Sequence, residues 1–271
     1  MKPAPLIPLA LFLALAFAGL SPARAQSTPD DAPEQSSARP EVEKLIKESG
    51  AEVTVVFRSL DGSQQLFIKP DLVFDDRDAL RIPVMIELYA QADAGLLKLS
   101  DPAPPIGPAG TVTGPPETLR DLCEEMIVSS SDPATNRLIE RLGVTNIRQR
   151  IGDLGAAGMS IAAPFPSHQE NHTTARALFT LLYALATDRA VSSEASKEMV
   201  DLLSRSPLHL SPGFPSQPAP PKPMDASNIH DAAIMFGARS FVFVIQIRGM
   251  TDAFAGAALL AKITHALSAA M

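Results

Sequence analysis

Few groups in this chain could act together as nucleophile, base or metal ligand, and their spacing narrows the chemistry. Asp78 and Arg81 stand three residues apart at the head of an apolar, helix-like run, a separation at which side chains on one face meet. Such a pair is first of all an ion pair. The carboxylate is held in its charged, weakly nucleophilic form, and the guanidinium keeps its proton and cannot serve as a base. Ser130, Ser131 and Asp132 place two hydroxyls and a carboxylate in succession. Ser130 is the candidate proton shuttle or substitute nucleophile, but no base adjoins it, and a hydroxyl there equally orders a loop or caps a helix. Lys222 is a cation that would attract a carboxylate ligand or stand solvated. His230-Asp231 opens a strand-like run, where hydrogen bonding at a sheet end competes with any catalytic role. His168 and His172 flank Glu170 at i, i+4 like a metal pair, yet they lie in a polar loop and no third ligand can be named. The single Cys123 sits on an apolar helical stripe as a small buried hydrophobe, and it excludes an intrachain disulfide or a multi-thiolate metal site. No metal and no cofactor are expected.

The elements that must position these groups follow from composition and periodicity. With 46% hydrophobic and 20% charged residues, the 271-residue chain can bury a sizeable core. Lys and Arg number 23 against 30 Asp and Glu, a net charge of −7, which argues against nucleic acid or an anionic membrane surface as partner. Lys2, the apolar run from Pro5 to Leu20 and Ala23-Arg24-Ala25 have the layout of a cleaved secretory signal over residues 1–25. The run is too short and too proline-interrupted for a membrane anchor, so a periplasmic or secreted protein is expected, with residues 26–40 as a flexible leader.

Val42, Leu45 and Ile46 predict a helix closed by Gly50. Strands are predicted over Ala51–Leu60 and Gln64–Lys69 around an Asp61-Gly62 turn. Helices are predicted over Leu80–Ala94 and over the stripe Leu119, Leu122, Cys123, Met126, Ile127. A further helix is expected to be capped by Asp132 with Pro133 at its first position, and shorter ones to begin at Thr145, Thr173 and Ser193. Proline-rich loops occupy Pro102–Pro116 and Pro207–Pro223. Strands Ile229–Phe236 and Phe241–Ile247 form a second hairpin before a last helix, Asp252–Ala269. Strands at the two ends with helices between them predict a mixed α/β (α+β) fold. An antiparallel sheet flanked by N- and C-terminal helices would be built from residues 41–70 and 225–271, with an all-helical part, 71–224, inserted between its halves, in one domain over 41–271.

Phe74 to Tyr89, containing Asp78-Ala79-Leu80-Arg81-Ile82-Pro83-Val84, resembles the active-site helix of class A β-lactamases and related penicillin-recognising serine hydrolases, whose pattern is Phe-x-x-x-Ser-x-x-Lys-x-Pro-Val. Met126 to Asn136 is similar to their Met-Ile-x-x-Ser-Asp-Asn-x-Ala-x-Asn, Asn171 to Ala175 to their Thr-Thr-Ala helix start, and Lys222-Pro223-Met224 with His230-Asp231-Ala232 to their Lys-Thr-Gly and the following strand. The resemblance implies a β-lactamase-like fold over nearly all of Val42–Ala269. It also implies a serine nucleophile and a lysine base, and at those positions this chain has Asp78 and Arg81. The Ser-Asp-Asn triplet has become Ser130-Ser131-Asp132, and Pro223 and Met224 replace the Thr and Gly after the lysine. The deacylating glutamate is not evident on the loop from Ala156 to Asn171, where Glu170 falls close to the next helix.

Loss of the Ser-x-x-Lys pair implies a pseudoenzyme. Its former cleft, lined by Arg81, Ser130 and Lys222, is expected to take a small carboxylate, β-lactam-like or peptidoglycan-derived ligand, in a monomer without a membrane span. The alternative is an active serine hydrolase using Ser130, and a third reading makes the proline-rich loops a protein-binding surface.

Overall fold

The computed structural model describes residues 34–74, 77–104, 117–166, 169–206, 228–237 and 239–270. The expected signal segment, Lys222, His168 and nearly all of both proline-rich loops lie outside these residues.

The sheet forms as the strand patterns predict. β2 (Glu52–Ser59) and β3 (Gln64–Ile68) are antiparallel about the Asp61-Gly62 turn, where Gly62 takes a φ of +76° that a side chain would disfavour. Asp61 accepts bonds from the Ser63 N–H at 2.9 Å and hydroxyl at 2.8 Å. Hydrogen bonding from Ser59, then from Ser63, pulls its carboxyl down to about 2. β6 (Asn228–Met235) and β7 (Phe241–Arg248) form the second hairpin, and β7 returns to pair antiparallel with β2 from Glu52↔Arg248 to Ser59↔Phe241. The order is β1-β3-β2-β7-β6. The central strands β2 and β7 are buried on both faces, which explains their continuous apolar character.

β1 (Glu34–Gln35) joins the edge parallel to β3, Ser36 and Ala38 are buried, and α1 (Arg39–Ser49) begins inside the segment expected to be flexible. Glu34–Pro40, expected as flexible leader, is therefore built into the sheet edge and the start of α1. The reason lies in those buried residues: short, polar-looking Glu34–Pro40 supplies backbone partners to a sheet edge, which apolar periodicity does not report.

α1 and α8 (Ala253–Ala269, capped by Asp252) pack together on the sheet face that carries Val53 and Ile229, and a Cβ at Gly256 would collide with Ile229. On the other face lies α6 (Ala175–Ala186), with Phe179 edge-on to Phe67 of β3. The helical part contains α2 (Arg81–Asp93), α3 (Leu119–Val128), α4 (Asp132–Leu142), α5 (Val144–Asp153) and α7 (Ser193–Ser204). α2 is buried from Arg81 to Ala90. Its buried Glu87 meets Arg150 of α5 at 3.0 Å and Gln91 at 2.9 Å, and Gln91 also reaches the Leu142 carbonyl of α4. Cys123 is buried as expected, and burial pushes its thiol up to about 12.

Several helix starts shift by one residue, each for a capping reason. Thr174, not Thr173, caps α6, because Thr173 and Thr174 form strand β5 paired with β4 (Val73–Phe74), a two-residue ladder too short for sequence periodicity to reveal. Ser192 caps α7. Gly143, at φ +85°, both ends α4 and opens α5, so Thr145 falls inside the helix. Asp132 is the first residue of α4 and not its cap, since Ser131 accepts the Ala134 N–H at 3.2 Å. Asp78 precedes α2 in a turn, so it and Arg81 do not share a helix face.

Gln246 of β7 is fully buried between Thr54 and His230, and neither end of its amide has a hydrogen-bond partner among the described residues. Replacing it by an apolar residue of similar shape removes that desolvation cost. Gln246→Met is expected to raise the urea unfolding free energy by about 1–2 kcal/mol. A loss of stability would show that the amide is satisfied.

Candidate functional site

The site forms where the N-termini of α2 and α4 meet the loop before β5. α3 ends at Ser129, and the chain turns through Ser130 in the left-handed region, φ +53°. Ser131 then uses its hydroxyl twice, donating to Glu125 Oε1 at 2.7 Å and capping α4. With Ser131 as the cap, the Asp132 carboxylate is released from capping and turns to α2.

There it meets Arg81, only 4% exposed. Nη2 donates to Asp132 Oδ1 at 2.5 Å and to the Ser130 carbonyl at 2.9 Å, and Nη1 donates to Asp78 Oδ1. The Phe165 ring lies 5.2 Å from the guanidinium carbon. Phe165 is itself fixed by Asn136, which receives its N–H at 2.8 Å and donates to its carbonyl at 2.7 Å, and also to the Asp132 carbonyl at 3.0 Å. One arginine thus draws together the turn before α2, the start of α4 and the 161–166 loop. A buried guanidinium requires compensation of this kind, and planar Arg supplies several donors in fixed directions.

Chemically this is a clamp. Arg81 holds a permanent proton, both carboxylates are engaged by it, and the described cluster carries two negative charges against one positive. The residues expected together, Asp78, Arg81, Ser130 and Asp132, do converge, but Ser130 contributes its carbonyl, and its hydroxyl has no base within hydrogen-bonding distance among the described residues. Arg81 makes two bonds through Nη2 and one through Nη1 within the protein, and its buried Nε has no acceptor among the described residues. Lys222, the other expected cation, lies outside the described residues.

The remaining candidates sit elsewhere. His230 on β6 pairs in register with Gln246 of β7, and Asp231 follows it in the sheet opposite Ile245. Glu170 is exposed and ion-paired with Arg148 at 2.6 Å, so it is not directed at Asp78. His172 makes a backbone bridge to Ser160. No group of three metal-ligating side chains occurs among the described residues. Two residues escaped the sequence reading. Asn136 was visible as the last member of the Met126–Asn136 motif without a role, whereas Phe165, in a loop without periodicity, gave no signal.

The model of the beta-lactamase enzyme family matches residues 37–271, and the chain belongs to that family. Among solved structures, PBP-A is similar at 20% identity with a TM-score of 0.71, covering 88% of this chain and 97% of that one. The beta-lactamase from Sphaerobacter thermophilus DSM 20745 is similar at 21% identity and a TM-score of 0.65, covering 86% and 96%. A point mutant of PBP-A, solved as its acyl-enzyme complex with penicillin G, gives 21% and 0.69 over 86% and 95%. These likenesses establish the fold. Comparison with curated proteins gives no match.

Arg81→Met would leave Asp78 and Asp132 facing each other without compensation. Since both carboxylates keep some solvent contact, the expected cost is about 2–3 kcal/mol in denaturant unfolding, below that of a fully buried pair. A cost under about 1 kcal/mol would show that the clamp is not structural.

Proposed function

We propose that this protein is a non-catalytic member of the beta-lactamase enzyme family, exported to the periplasm or beyond the cell and acting there as a monomeric binding protein. The observation that carries the reading is Arg81, buried between Asp78 and Asp132 at the position where the resemblance places a lysine base. A serine hydrolase needs an alcohol whose proton can be accepted and returned. Here the alcohol is replaced by a carboxylate, and the acceptor by a cation that stays protonated at any pH the fold survives. Loss of nucleophile and base as a unit costs several powers of ten in rate.

For the ligand, the outward oxygens of Asp78 and Asp132 are hydrogen-bond acceptors. They suit the amide, ammonium and hydroxyl groups of a peptidoglycan-derived fragment, while a carboxylate end would depend on Lys222. The rival reading, an active hydrolase using Ser130, draws on the left-handed backbone of that residue, since strained positions cluster at functional sites.

One experiment separates the two. Purified mature protein is expected to hydrolyse a chromogenic cephalosporin no faster than its Asp78→Ala variant, and its intact mass is expected to stay unchanged after incubation with penicillin. Hydrolysis above that variant overturns the non-catalytic reading, and a covalent adduct mapped to Ser130 establishes the rival.

A further inference from the structure

At the other end of the sheet, around the β2–β3 turn and the last turn of α6, two arginines converge on one aromatic ring. Arg58, on the α6 side of β2, has its guanidinium carbon 5.5 Å from the Tyr183 ring centroid, and Arg189, just past α6, has its own at 5.3 Å. Phe179 stacks on the same ring at 5.4 Å with planes 26° apart.

Two like charges brought together usually recruit carboxylates, and most arginines of this acidic chain do so. Neither Arg58 nor Arg189 has an ion-pair partner among the described residues. The two acids close in sequence are otherwise engaged: Asp61 by Ser59 and Ser63, Asp188 by the Ser193 hydroxyl at 2.9 Å. Arg189 is oriented by its Nε donation to Thr187 Oγ1 at 2.9 Å. Arg58 Nε is buried without an acceptor among the described residues, while one of its terminal nitrogens lies against Gly62, where the absence of a side chain leaves the guanidinium uncovered.

We propose that Arg58, Tyr183 and Arg189 form a second ligand site, separate from the Arg81 clamp, for an oxyanion of the phosphate class. Two guanidiniums present paired donors and two positive charges, which match a phosphate carrying close to two negative charges at neutral pH better than they match a singly charged carboxylate. Both side chains are already held against one aromatic ring, so little side-chain freedom is lost on binding. No residue is shared with the clamp, so the proposal does not rest on the reading of that site.

Isothermal titration of the mature protein with inorganic phosphate tests it. Saturable one-to-one binding is expected, weakened about tenfold or more in Arg58→Gln and in Arg189→Gln, and unchanged in Arg141→Gln, an exposed arginine of α4. Arg189 is exposed, so its variant carries the test if Arg58→Gln lowers the melting temperature. Acetate is expected to bind about tenfold more weakly than phosphate. Absence of saturable binding below about 10 mM phosphate, full affinity in Arg189→Gln, or equal affinity for acetate would each overturn the proposal.

Discussion

A guanidinium that never gives up its proton is taken out of water at the start of α2, and the geometry around it answers that demand. Isolated, such a charge would cost several kcal/mol. Two carboxylates, one backbone carbonyl and the face of an aromatic ring compensate Arg81 here. The compensating groups come from three separate stretches of chain, so meeting the needs of one side chain also fixes how those stretches lie against each other. Ser131 capping α4, which leaves Asp132 available, and Asn136 gripping both the N–H and the carbonyl of Phe165 are parts of the same arrangement.

Much of this was readable before any coordinates. Alternating and continuous apolar runs located β2, β3, β6 and β7, and their placement at the two ends of the chain required the C-terminal strands to return to the N-terminal pair. The long apolar run of α2 and the i, i+3 and i+4 stripe of α3 likewise marked buried helices. What escaped were features set by tertiary context. β4 and β5 are two residues each, β1 is polar, and none carries a period. The capping role passed from Asp132 to Ser131 because Asp132 had a better electrostatic partner 51 positions away in sequence, which local preference does not weigh. The same holds at the site: the types and spacing of Asp78, Arg81, Ser130 and Asp132 marked them as one group, but not that the arginine would face inward, nor that Phe165 would lie against it.

Membership of the beta-lactamase enzyme family accounts for the fold, and the arrangement of the centre for how three stretches of chain are held together. The scaffold is preserved by burial: α2 keeps its apolar surround, Cys123 and Met126 of α3 remain packed, and the sheet is intact. Asp78, Arg81 and Asp132, which depart from the resemblance, stand at the N-termini of α2 and α4 outside the apolar core. A lysine in place of Arg81 would be a compact point charge on a flexible stem, able to lose its proton when desolvated. The planar, permanently charged group found instead is suited to holding two acids at once.

The coupling between Arg81 and Asp132 tests this account most directly. In a double-mutant cycle built from Arg81→Met, Asp132→Asn and the combined variant, unfolding free energies are predicted to reveal an interaction of about 2 kcal/mol, because Arg81→Met leaves Asp132 without its cation and Asp132→Asn leaves the buried guanidinium with Asp78 alone. A coupling indistinguishable from zero would mean that the two residues merely lie side by side, and that something other than the clamp organises the centre.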